Sequence, residues 1–307
     1  QIWFAKDGIV VQNEAYGYHT YSTEKAVLKS DLYDLASITK IAGSVAGLMK
    51  LNDEGSFNLD YRLCDYLSEW VDTTSYMQLT MREILAHQAG LTPWIPFYTK
   101  TISKGVPRYD VYSLAQSETY PLRVAREFYI RGDYPDKMFQ QILNYKLSPE
   151  KKYKYSDIGY YFALRIIESQ SKMPLDKFLD QSYYKPLGLS TMGYRPLEKF
   201  SKDRIAPTEY DRNFRNQLVH GDVHDPGAAM LGGVGGHAGL FSNTNDLGIL
   251  MQMYLNKGVY GGDSISNQKQ LTNTQSVNSV KMITEEVQVL INQQQIVRQD
   301  HHVAVQI

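Results

Sequence analysis

The apolar pattern opens with a hairpin. Residues 2–5 and 9–11 are apolar runs around Lys6-Asp7-Gly8, and Asp-Gly between two such runs predicts antiparallel strands joined by a tight turn. From Ile38 the apolar positions change to helical spacing: Ile38, Ile41, Val45, Leu48 and Leu51, with Gly55 as the expected stop. Ser37 then falls in the first turn of a buried helix and Lys40 one turn on, on the same face. Thr80 followed by Glu83 is a capping-box pattern, predicting a short helix that ends near His87. Residues 92–152 are rich in Tyr, Pro and charge and have little period, which predicts a long irregular excursion over a rigid body. Helical spacing returns at 158–167, 175–184 and 246–255, the last with Asn243 or Thr244 as cap.

Composition narrows the function classes. Of 307 residues, 43% are hydrophobic and 21% charged, and the formal charge of −1 gives no electrostatic case for nucleic acid or an anionic membrane. No apolar run reaches the ~18 residues that a membrane span needs. Cys64 is the only cysteine, which excludes an intrachain disulfide or a thiolate zinc site. The chain starts at Gln1 without a methionine or signal peptide, so a fragment or a processed piece is expected.

Ser37 and Lys40 carry the first candidate chemistry. A serine is a weak nucleophile until a base takes its proton, and an amine three residues along a helix can reach it. Ser-x-x-Lys occurs six times in this chain, but only this copy lies in an apolar context, with Ile38 between the two residues and Ile41 just after. Burial there is expected to lower the lysine pKa and so make its neutral form accessible. Free N–H groups at the helix start favour a developing oxyanion. Tyr155-Ser156-Asp157, at the entrance of the 158–167 helix, offers a phenol as a second element.

Other polar clusters read as scaffolding. His87, at a helix end, is expected to be a hydrogen-bonder and not a catalyst. His220, Asp222, His224 and Asp225 invite a metal reading, with a metal-dependent hydrolase as its functional form. Their spacing fits no closed structural site, so loop-fixing hydrogen bonds are expected and no metal. The glycine-dense stretch 231–243 formally fits a dinucleotide fingerprint. It lacks the preceding strand and the later acidic residue, and contains no Gly-Lys-Ser/Thr, so close backbone packing is the reading.

After Asp263 the composition changes. Residues 264–307 hold nine Gln and no Gly, Pro, Tyr, Phe or Trp, although the chain has 37 aromatics. A disordered or helical polar tail is one explanation. Translation out of frame is the sharper one: from the last base of the Asp263 codon, permitted synonymous codons give an ordinary globular string that includes R-R-G-A-G-F-D-K-P.

Ser37-x-x-Lys40, Tyr155-Ser-Asp157 and the segment Gly235-Gly-His237-Ala-Gly-Leu-Phe-Ser occur in that order. Together with Asp34-Leu-Ala-Ser and Leu85-Ala-His-Gln-Ala-Gly-Leu91, they resemble the serine β-lactamase and penicillin-binding-protein-like family: class C β-lactamases, D-alanyl-D-alanine carboxypeptidases and related esterases. The wording, including Val223-His-Asp-Pro226, is most similar to the domain fused behind family 3 glycoside hydrolases. The resemblance implies an α/β (α+β) fold, an antiparallel sheet flanked by helices plus a mostly helical subdomain. Residues 1–60 and 205–263 would form the first and 61–204 the second. It implies that Ser37 forms an acyl-enzyme on an ester, amide or β-lactam-like substrate, small molecule or peptide, while Lys40 and Tyr155 manage its proton. Asp157, Gly236 and His237 would line the substrate site, no cofactor would be needed, and the location would be periplasmic or otherwise extracytoplasmic. Two departures stand out. Asp157 replaces the Asn of many members, and the third motif, Lys-Thr-Gly or His-Ser/Thr-Gly, is absent. The C-terminal strands are therefore expected to be missing and this chain to be weak or inactive. A non-catalytic module attached to a glycosidase is the alternative.

Overall fold

In the computed structural model, which describes residues 1–265 and 302–306, the hairpin forms as Ile2–Lys6 and Ile9–Glu14. Asp7 and Gly8 both take positive φ, 52° and 78°, the geometry that suits the right-handed twist of the two strands. Trp3 and Ala5 point inward. The helix Thr244–Leu255 lies against the hairpin at Gly248, where a side chain would strike the Trp3 ring at 2.7 Å. Asn243 caps that helix by accepting the Asp246 N–H.

The strand His302–Gln306 pairs antiparallel with Ile2–Lys6 on the side opposite Ile9–Glu14. One strand therefore follows residue 263, and it carries neither Lys-Thr-Gly nor His-Ser/Thr-Gly. The other residues of the proposed out-of-frame tail, 266–301 and 307, lie outside the described residues.

A second small sheet holds the serine turn. Leu240–Ser242 pairs antiparallel with Tyr33–Asp34 on one side and Gly193–Tyr194 on the other, which brings residues 193–194 out of the span expected to be helical. The chain then turns at Ala36 and enters the helix at Ile38. Lys40–Val45 is wound as a π-helix and Ala46–Asp53 as an α-helix. Widening the turn frees carbonyls for other donors, and the buried Tyr184 and half-buried Tyr254 supply them: Tyr184 OH donates to Ala42 O at 2.9 Å and Tyr254 OH to Ile41 O at 3.0 Å. Gly55, at φ 77°, follows the helix end.

The helical region comprises Leu63–Val71, Met81–Leu85, Tyr134–Leu143, Ile158–Ser171 and Leu175–Leu179. The Thr80–Glu83 capping box is present in both directions. Residues 92–152 are more regular than their pattern suggests: Tyr112–Ser113, Leu122–Ala125 and Phe128–Ile130 form a three-stranded antiparallel sheet. Strands of two to four residues are too short to display a period of two. One continuous apolar core joins the sheets and helices. Among the described residues no helix is long and apolar enough to cross a membrane.

Candidate active site

Three chain segments meet at Ser37. The first is the turn before it. Ala36 has φ 44°, a left-handed conformation that costs a non-glycine residue of order 1 kcal/mol. Asp34 holds it there: Oδ1 accepts the Ala36 N–H at 2.8 Å, while Oδ2 accepts the His224 N–H at 2.7 Å. Burial raises the Asp34 pKa above the ordinary carboxylate value, although both N–H donors favour the anion. Ser37 is half-buried, and among the described residues its own N–H has no acceptor.

The second segment presents Tyr155 and Asp157. Ser156 anchors the turn by donating its hydroxyl to Thr92 O at 2.6 Å and its N–H to His87 Nδ1 at 3.1 Å. The His87 ring also lies 4.7 Å from that of Tyr155. His87 is thus a buried brace behind the phenol, in line with its expected structural role. Tyr155 OH donates to Ser37 Oγ at 3.0 Å.

The third is the glycine-rich segment. His237 O accepts from Lys40 Nζ at 3.2 Å, and Gly236 O accepts from Ser44 Oγ at 2.7 Å. Gly236 is closely packed: a β-carbon there would lie 2.1 Å from Tyr160 O and 2.9 Å from Ser44 Oγ. The His237 ring is 2% exposed, stacks on Tyr161 at 4.5 Å and donates from Nε2 to Asp225 Oδ1 at 2.7 Å. Gly236 and His237, expected to line a substrate site, therefore lie buried, where the His237 carbonyl braces Lys40 and the Gly236 carbonyl holds Ser44 one turn further on. Asp225 also caps the helix Pro226–Met230. Although burial opposes its charge, His237 and the Ala228 N–H hold its pKa at about 2.

Lys40 joins all three segments. Its side chain is fully buried, and Nζ lies 2.8 Å from Ser37 Oγ and 2.7 Å from Asp157 Oδ1. Burial alone would push the ammonium down, but the Asp157 carboxylate and the Tyr155 phenol outweigh it, and the net shift is upward. The expectation of a lowered lysine pKa is thereby reversed: burial was legible in the sequence, but the partner 117 residues away was not.

The remaining polar cluster divides among separate partners. His220 Nε2 bonds Ile205 O, Asp222 forms a two-point pair with Arg123, and His224 faces Glu209 at 3.0 Å. No group of three His, Cys, Asp or Glu side chains among the described residues is arranged to hold a metal. A cavity of about 300 Å³ bordered by Arg123, Tyr129, Arg195 and Asp222 has neither Ser37 nor Tyr155 on its wall, and both arginines in it are paired. Sequence reasoning did not single out Asp34, Ser44 or Asp225 as supports of the site. Asp-Pro at 225–226, a helix-start signal, was the available clue to the last.

A mixed fold with a serine helix set between an antiparallel sheet and a helical region places the chain among serine-hydrolase folds. The sequence profile of the beta-lactamase family matches residues 1–289, so the chain belongs to that family. A protein of Escherichia coli (strain K12) provisionally named D-alanyl-D-alanine carboxypeptidase is 35% identical over 252 residues, 77% of this chain and 53% of that protein. The chain thus spans about half the length of the curated relatives it matches. Among solved structures, the octameric penicillin-binding protein homologue from Pyrococcus abyssi superposes with a TM-score of 0.58 at 20% identity, covering 87% of this chain and 54% of that one. The class C beta lactamase from Rhodobacter sphaeroides gives 0.58 at 16% identity, covering 92% and 64%. At these identities the structural likeness concerns the fold.

Proposed function

We propose that this chain is an acyl-transfer serine hydrolase in which Ser37 attacks a carbonyl and forms an acyl-enzyme that water then releases. Lys40 and Tyr155 handle the serine proton, and the Ser37 N–H donates to the oxyanion. The observation that carries this reading is the convergence on one half-buried oxygen. Ser37 Oγ has Lys40 Nζ at 2.8 Å and Tyr155 OH at 3.0 Å, and both distances lie within the reach that proton transfer requires. The names of the carboxypeptidase relatives make a short peptide with a D-alanyl-D-alanine end the first amide substrate to try, with simple esters and β-lactams beside it. An extracytoplasmic location and attachment to a glycoside hydrolase domain belong to the same proposal.

The test is covalent labelling with a fluorophosphonate reporter followed by peptide mapping. Label on Ser37 that Ser37→Ala abolishes supports the reading, and a folded chain that never labels refutes it. A second reading, a non-catalytic module, is favoured by one observation: neither Lys-Thr-Gly nor His-Ser/Thr-Gly occurs in the sequence. That reading predicts no labelling.

A further inference from the structure

Lys40 Nζ carries three hydrogens when charged, and around it stand Asp157 Oδ1 at 2.7 Å, Ser37 Oγ at 2.8 Å and His237 O at 3.2 Å, with the Tyr155 phenol beside them. An ammonium so placed has no lone pair for the serine proton. It becomes a base only as it gives a proton away. Of its acceptors, a backbone carbonyl cannot hold that proton and the serine is its source, which leaves the carboxylate. The Tyr155 phenol also bonds to Lys40, but its hydroxyl keeps its own hydrogen, donated to Ser37 Oγ, and a neutral phenol takes no further proton.

We propose that Asp157 is the proton acceptor of the acylation step, reached through Lys40; this rests on the serine-hydrolase reading above. In the step, Ser37 Oγ bonds to the acyl carbon as its proton passes to Lys40 Nζ. A different Nζ proton passes to Asp157 Oδ1. Lys40 stays an ammonium, Asp157 becomes a neutral acid, and the negative charge appears on the former carbonyl oxygen. As the tetrahedral intermediate collapses, the carbon–leaving-group bond breaks and the proton returns by the same route to the departing amine or alkoxide. The Asp157 side chain is 20% exposed, so it can also exchange its proton with water between turnovers.

The surroundings suit a carboxylate in this role. Facing the pair are Tyr155 on its own turn, Tyr160 and Tyr161 on the helix that follows, His87 behind Tyr155, and His237 with Asp225 from the glycine-rich side. Asp225 is the one further carboxylate in that set. It acts on Lys40 through space, whereas Asp157 is in direct contact. An asparagine at 157 could accept a hydrogen bond from Lys40 but could not keep a proton. A site with asparagine must therefore use a neutral lysine or a phenolate, and it works only where one of those forms is populated.

The experiment is the pH dependence of the rate at which the fluorophosphonate labels Ser37, where the serine oxygen bonds to phosphorus and fluoride leaves. In the wild-type chain the rate should fall only at acid pH and be level from neutrality upward. In Asp157→Asn the acid limb should move into the alkaline range, leaving the variant slower by at least about tenfold near pH 6 and close to wild type near pH 9. Asp157→Glu should restore the acid-side rate. Urea midpoints of both variants report folding, and the wild-type limb alone tests the idea if Asp157→Asn does not fold: a wild-type limb above about pH 7 would overturn it. So would superimposable profiles, or a loss of rate equal at every pH, while the hydrolase reading survived. A wild-type chain that never labels overturns both.

Discussion

Gly236→Ala adds one methyl group at the seam between the serine helix and the helix Ile158–Ser171. Its β-carbon would stand 2.1 Å from Tyr160 O and 2.9 Å from Ser44 Oγ, where ordinary contact starts at 3.4 Å. The serine hydroxyl can rotate away, but it then loses its bond to Gly236 O. The carbonyl belongs to the first turn of a buried helix and cannot move without it. Relief from 2.1 to 3.4 Å takes a 1.3 Å separation of the glycine-rich segment, whose His237 O accepts from Lys40 Nζ, from the helix that follows Tyr155 and Asp157. Overpacking costs ~1–3 kcal/mol and a lost buried hydrogen bond about 1 more, so a stability loss of roughly 3 kcal/mol is expected. The same shift carries His237 O away from Lys40 Nζ, 3.2 Å from it in the native site, and misplacement by an ångström costs on the order of 100-fold in rate. Urea denaturation and fluorophosphonate labelling measure the two effects. Gly47→Ala is the control on the same helix. Its nearest obstacle is the flexible tip of Ile167 at 2.9 Å, and alanine gains ~0.5–1 kcal/mol over glycine in a helix, so a near-neutral result is expected. A Gly236→Ala chain with the midpoint and labelling rate of Gly47→Ala would refute the reasoning.

Three further outcomes follow from the charges around the site. Asp225 has its folded pKa depressed from 3.8 to about 2, so its contribution of roughly 2 kcal/mol is present above pH 4 and disappears as pH falls toward 2; urea midpoints of wild type and Asp225→Asn should differ at about pH 6 and converge near pH 2. Arg215 is fully buried, paired with Asp211 at 2.7 Å and bonded to Val223 O and His224 O; Arg215→Ala leaves the buried Asp211 carboxylate without its counter-charge, held only by the backbone N–H groups of residues 213–215, and leaves two carbonyls without that donor, and should cost ~3 kcal/mol in a thermal melt. Exposed pairs should behave differently: Arg131→Ala, which breaks the surface pair with Asp133, should leave the melting temperature within about a degree or two of wild type.

What could be read from sequence was local. The Asp7-Gly8 turn, the Thr80–Glu83 box and the periodicity from Ile38 are each settled within a few residues, and each appears where expected. The winding of Lys40–Val45 was not legible because its stabilisers, the Tyr184 and Tyr254 hydroxyls, arrive from far along the chain. The role of His237 was misread because the relevant atom is its carbonyl oxygen, which every residue type carries. The strand His302–Gln306 had a local signal in its valines, but the contrast in composition with the preceding 263 residues outweighed it.

Lys40 also explains why site and fold are hard to separate. Taking an ammonium out of water costs several kcal/mol, recovered only when every N–H is met by an acceptor. Here the acceptors come from the turn at Ser37, the helix entrance at Asp157 and the glycine-rich segment at His237. Each is held by a support of its own: Asp34 for the first, His87 for the second, Asp225 for the third. A partly folded chain that lacked any one segment would leave a buried charge short of a partner, so Lys40 can settle only when the sheet and the helical region have closed on each other. The geometry around Ser37 is then set in the same event that completes the core. Substitutions at Asp34, His87 or Asp225 should consequently lower stability and labelling rate together, whereas substitutions at Tyr155, whose hydroxyl makes its hydrogen bond to Ser37, should separate the two.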